Sequence, residues 1–132
     1  MRWKSTEDAK SVFKQLRAAG VPMLVGTDAS TPLNFKTDAV WREMNLMVQY
    51  GVPPMEVIAT ATRRNADYMK MGGELGTVTR GRLADVIVID GNPLVNMRDL
   101  RNVVAVIKDG KVYKEKGVPV DAVPTRSSDN LK

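Results

Sequence analysis

Asp28 is the side chain around which chemistry could be organised. It closes the run Val21-Pro22-Met23-Leu24-Val25-Gly26-Thr27-Asp28, an apolar stretch opened by Gly20 and ended by a glycine, a hydroxyl and a carboxylate. Such a run between turn residues predicts a buried strand over residues 21–27, most naturally in a parallel sheet. In a barrel of alternating strands and helices, the carboxyl ends of the strands assemble the active site. Asp28 stands at such an end. The rival reading is a helix cap or loop carboxylate that binds nothing.

The chemistry open to this chain is bounded by two absences. It holds no histidine, the commonest general acid or base near neutral pH, so His-based triads and imidazole zinc sites are excluded. It holds no cysteine either, which excludes disulfides and thiolate metal sites. Gly72-Gly73 with Gly76 is no phosphate loop, because no strand leads into it and no Gly-Lys-Ser follows. Asp85 and Asp90 flank a β-rich segment and read as turn residues that receive backbone amides. Ser30 and Thr31 lie beside Asp28 and read as surface-loop residues. Glu43 has apolar neighbours in helical register and reads as an exposed or capping carboxylate. Met44, Met47, Met55, Met69 and Met71 read as core filling.

The elements that must position Asp28 follow from periodicity. Ser5-Thr6-Glu7-Asp8 is a helix start, with Ala9, Val12, Phe13, Leu16 and Ala19 at helical spacing and Gly20 as the stop. A second amphipathic helix is predicted from about Thr37 to Tyr50, its apolar stripe Val40, Trp41, Met44, Met47 and Val48. Pro53-Pro54 open a third, where a missing amide costs nothing, with Met55, Ile58, Ala59 and Thr62 inward. Arg63-Arg64-Asn65 read as a break before a short turn of helix over 66–71. Composition then shifts to β-rich segments at 76–79, 85–90 and 103–108. Asp109-Gly110 predicts a type I′ hairpin turn into Lys111-Val112-Tyr113-Lys114. Beyond Gly117 a polar tail is expected to be loosely ordered.

Length and charge add bounds. The 132 residues carry 43% apolar side chains, enough for a core, but fall short of the roughly 250 of a complete eight-stranded α/β barrel. The net charge of +5 is scattered and has no aromatic stacking platform beside it, so nucleic acid is not an expected partner. No run approaches the roughly 18 apolar residues of a membrane span, and no leader pattern opens the chain. A cytoplasmic protein is the default expectation.

Gly26-Thr27-Asp28 after an apolar run is similar to the eighth-strand motif of the metal-dependent amidohydrolase superfamily. Ala59-Thr60-Ala61-Thr62 with Asn65-Ala66 resembles the helix that follows the barrel in those enzymes. The segment from Gly76 to Pro93 resembles their return into a small β-sandwich, and Val106 to Tyr113 its closing hairpin. The flavour is nearest to imidazolonepropionase-like and Xaa-Pro-dipeptidase-like members. The resemblance implies an α/β fold with a small β unit: the last strand–helix units of a TIM-type (β/α)8 barrel over residues 1–72, part of a composite β-sandwich over 73–116, and a tail over 117–132.

It further implies the carboxyl-terminal portion of a hydrolase of C–N bonds in amides, cyclic amides or dipeptides. The complete family enzyme uses Zn²⁺ or another divalent ion. Asp28 matches its aspartate, which binds one metal ion and helps take the proton of the attacking water, so Asp28 is both the catalytic and the metal-ligating candidate. The family's histidines cannot be carried over. The isolated chain is therefore expected to hold no metal and to be inactive. The expected partner is the missing barrel portion, or another copy in a homo-oligomer. Two alternatives stand beside this reading: a non-catalytic remnant or subunit that associates with a partner or itself, and a basic nucleic-acid-binding adaptor.

Overall fold

The computed structural model describes residues 6–28, 38–116 and 118–120. The loop around Ser30 and Thr31 and the tail from residue 121 lie outside the described residues. Helix α1 spans Thr6–Ala18, α2 Ala39–Gln49, α3 Pro54–Ala61 and α4 Arg63–Tyr68. Strands β1 (Val86–Ile89), β2 (Val103–Lys108), β3 (Lys111–Glu115) and β4 (Val118–Pro119) follow, with a 3-10 turn over Met97–Arg101 between β1 and β2.

The helices form for local reasons. In α1, Glu7 and Asp8 occupy the first turn and Arg17 the last, matching the helix dipole at both ends. The Gly20 N–H reaches Arg17 O and the Val21 N–H reaches Leu16 O, the paired closing bonds of a Schellman stop. Pro53 caps α3 and Pro54 takes its first position. The break between α3 and α4 falls at Thr62, one residue before the predicted Arg63-Arg64-Asn65, so those residues are helical.

The core is small and rich in methionine. Met44, Met47, Val52, Val57 and Met97 form its buried cluster, with Phe13, Met23, Val25, Ile58 and Leu100 packed against it. Unbranched thioethers fill the uneven gap where α2 crosses α3 and the 3-10 turn. Met55 and Met69, expected inside, are 61% and 65% exposed. The inner face of α3 is turned from the one expected: Val57 and Thr60 are buried, while Met55 and Thr62 face out. Thr60 tolerates burial because its hydroxyl donates to the Val57 carbonyl at 2.6 Å.

The sheet is antiparallel throughout, in the order β1-β2-β3-β4. Asp109 and Gly110, with φ of 51° and 73°, make the β2–β3 turn with both central residues in the left-handed region, as type I′ requires. Asp85 braces this turn: its carboxylate accepts the Asp109 N–H at 2.8 Å and the Lys108 ammonium at 2.7 Å. The expected tail begins inside the sheet, since Val118 and Pro119 pair with Glu115 and Lys114. Pro119 is tolerated there because β4 is an edge strand.

Two expected strands are absent from the described residues. Residues 76–79 form no ladder, and neither do residues 21–27. The composition of 21–27 suits a strand, but strand pairing needs a neighbouring strand, and no described strand pairs with this run. The run is held instead by side chains.

Candidate active site

Asp28 lies at the end of the 21–28 run, exposed, with a backbone φ of 46°. The left-handed region costs a side-chain-bearing residue about 1–2 kcal/mol, though aspartate bears it better than most. Two residues upstream, the Val25–Gly26 peptide is gripped at both polar ends. Asn65 Nδ2 on α4 donates to the Val25 carbonyl at 2.9 Å, and the Gly26 N–H donates to Glu43 Oε1 on α2 at 3.0 Å. The two helices thereby fix a peptide plane that no ladder holds.

Neither Glu43 nor Asn65 stood out in the sequence as a site residue. Glu43 is half-buried rather than exposed, and its Oε2 is buried with no hydrogen-bond partner among the described residues. The signal for it was present: Glu43 follows Val40 by three positions and precedes Met47 by four, so it falls on the apolar stripe. A charge on that stripe calls for a partner. Asn65 gives no such signal, because its partner is a backbone carbonyl forty residues earlier.

Behind the run, Phe13, Met23, Glu43, Leu46 and Tyr50 line a hollow of about 200 Å³. Phe13 and Tyr50 meet edge to face there, with ring centroids 5.5 Å apart. Another hollow lies elsewhere, between the helices and the sheet. It measures about 640 Å³, is lined by Trp41, Met44, Ile58, Ile87, Leu100 and Val103 among others, and does not include Asp28. At its edge the Arg42 and Arg101 guanidiniums lie 5.2 Å and 5.3 Å from the Trp41 ring centre. Trp41 Nε1 donates to Asp38 Oδ1, and this bond, followed by that from Arg42, holds the Asp38 carboxyl below its ordinary range.

The residues present do not suit the metal that the resemblance implies. The sequence has no histidine and no cysteine, and the described residues contain no group of three or more potential ligands. Usable zinc sites need three or four converging ligands. Asp28 by itself does not fit the ion. What the arrangement provides is one carboxylate, exposed and set on a backbone clamped from two sides.

Residues 4–113 match the sequence profile of the Amidohydrolase family. The imidazolonepropionase of Chromobacterium violaceum is 36% identical over 85 residues, which are 64% of this chain and 20% of that protein. That of Thermoplasma volcanium is 34% identical over 73 residues, 54% of this chain and 18% of that protein. A crystal structure of a Xaa-Pro dipeptidase superposes with a TM-score of 0.73 at 35% identity, covering 80% of this chain and 25% of that one. The chain thus spans about a fifth of the length of the curated relatives it matches.

Proposed function

The chain belongs to the amidohydrolase family, matched over residues 4–113, and from that premise we propose that it is the carboxyl-terminal portion of a metal-dependent hydrolase of C–N bonds. Its substrates are small amides, cyclic amides or dipeptides, the classes to which the matched imidazolonepropionases and Xaa-Pro dipeptidase point. Residues 1–72 supply the last part of the barrel and 73–116 part of the sandwich. Asp28 is the site carboxylate. The observation that carries this reading is the position of Asp28 at the end of the Gly26-Thr27-Asp28 motif, exposed and aimed by a clamped peptide.

The chain's own residues do not hold the family's metal, so no step of hydrolysis is assigned to them through it. The remaining ligands belong to a barrel portion outside this chain, and the isolated chain is inactive. An exposed Asp28 at a fixed peptide is suited to receive such a portion.

A second reading, a subunit that persists by association without catalysis, is favoured by the exposed apolar surface. Val78 is 89% exposed, Val95 83% and Ile87 54%. Only Ala39, Met44, Met47, Val52, Val57, Thr60, Ala66 and Met97 are buried among the described residues. So small a core leaves the sheet in need of cover, from the missing portion or from another copy.

A chimera separates the two readings. Residues 6–116 are grafted in place of the matching segment of the Xaa-Pro dipeptidase, and hydrolysis of a prolyl dipeptide is measured. The proposal expects activity, lost in Asp28→Asn. Activity indifferent to Asp28→Asn, or a folded but inactive chimera, would favour the non-catalytic reading.

A further inference from the structure

We propose that Glu43 is a positioning residue that sets the backbone of Asp28; this rests on reading Asp28 as the site carboxylate. Glu43 sits on the buried stripe of α2, one turn before Met47, where a leucine or methionine would extend the core. Its Oε2 is buried and lacks a hydrogen-bond partner among the described residues. A buried polar atom left unsatisfied is unfavourable. Stability alone therefore does not account for a carboxylate at this place.

The bond that Glu43 does make supplies the account. Oε1 accepts the Gly26 N–H at 3.0 Å, while Asn65 holds the carbonyl end of the same peptide at 2.9 Å. A peptide plane fixed at both ends sets the starting point from which Gly26 and Thr27 carry the chain to Asp28. Thr27 and then Asp28 leave that plane, and Asp28 arrives at φ 46°. Left-handed backbone at a residue other than glycine persists where its surroundings over-determine it. Asn65 alone holds only one end of the plane and would let it rotate about that bond. The acceptor on α2 completes the restraint, and it must be an oxygen on a side chain long enough to reach from the helix.

The test uses NMR of the full, isotope-labelled chain and reads two local signals. One is the intraresidue amide–Hα Overhauser effect of Asp28, strong when φ is positive. The other is hydrogen exchange at the Gly26 amide. Glu43→Gln keeps an acceptor oxygen and is expected to retain both signals. Glu43→Leu removes the acceptor while filling the space. It is expected to weaken the Asp28 signal and to speed Gly26 exchange by about tenfold or more, with the rest of the spectrum still dispersed. Leu46→Ala, in the same hollow, is expected to leave Asp28 unchanged.

A folded Glu43→Leu that keeps both signals overturns the proposal, as does a Leu46→Ala that loses them equally. If Glu43→Leu fails to fold, Glu43→Asp, one methylene shorter, carries the same prediction. These readouts need no activity. A failed dipeptidase chimera would remove the role of Asp28 without touching them.

Discussion

Glu43 and Asn65 hold opposite ends of a single peptide unit: one accepts the Gly26 N–H, the other donates to the Val25 carbonyl. The run to Asp28 thereby gains from two helices the restraint that a β-ladder would otherwise supply. Asn65→Ala is expected to cost about 1 kcal/mol, because it removes one hydrogen bond and leaves a part-buried carbonyl unpaired. Asn65→Asp should cost more, since a carboxylate cannot donate to a carbonyl. Chemical denaturation of the two variants checks the order; equal stability of all three proteins would show that the carbonyl is satisfied by water.

Gly76 brings the connector tightly against α4. A Cβ added there would lie 2.7 Å from Arg63 Cα and 2.9 Å from Ala66 Cβ, at a backbone φ of 87°. The clash is with main chain, which cannot swing aside. Gly76→Ala is therefore expected to destabilise by roughly 2–4 kcal/mol, the sum of steric and left-handed costs. A thermal scan showing no loss would contradict the packing of this connector.

Lys70 occupies the left-handed position after α4, φ 59°, while the Lys70 and Met71 N–H groups close the helix onto Asp67 and Ala66. The position is exposed, and glycine suits it better. Lys70→Gly should stabilise by about 0.5–1 kcal/mol, the relief of strain less the extra entropy of the unfolded chain. The midpoint of thermal unfolding should rise by about 2–4 °C.

Glu56 joins three elements. Arg17 on α1 donates to both of its oxygens, at 3.1 Å and 3.0 Å, and Arg64 on α4 adds a contact at 3.3 Å. The Arg17 bonds, ahead of Arg64, hold its carboxyl below the ordinary glutamate range. A depressed folded pKa contributes stability that is present above the unfolded value and is lost as pH falls through the folded one. Wild-type stability should therefore fall as pH drops below the ordinary glutamate range, and Glu56→Gln should show a flatter profile that converges with it in acid. The pair is part-exposed, so solvent keeps the effect modest.

The parts legible in the sequence were those with local causes. The Asp109-Gly110 turn, Pro54 at the start of α3, and strands β1 to β3 each follow from a pattern within a few residues. The 21–27 run shows the limit, because its composition favours a strand while pairing depends on a partner strand that the described residues do not place beside it. Glu43 was misread for a related reason: its partner is a backbone amide seventeen residues away, and backbone amides carry no signature in a sequence. The Gly-Thr-Asp motif drew attention to Asp28 as a candidate, but its left-handed backbone and the clamp behind it had no local signature. The inner face of α3 was misjudged because the pattern turned Thr62 inward, and nothing local showed that Thr60, bonded to the Val57 carbonyl, is the threonine that is buried.

On the proposed reading, Asp28 is a site carboxylate with no complete set of metal ligands around it among the described residues. The most direct measurement is calorimetric titration of the purified chain with Zn²⁺, beside Asp28→Ala. Neither protein is expected to show tight stoichiometric binding, and both should give the same weak heats. Tight binding at a fixed ratio, abolished by Asp28→Ala, would contradict this reading by showing that self-association or other residues complete the site.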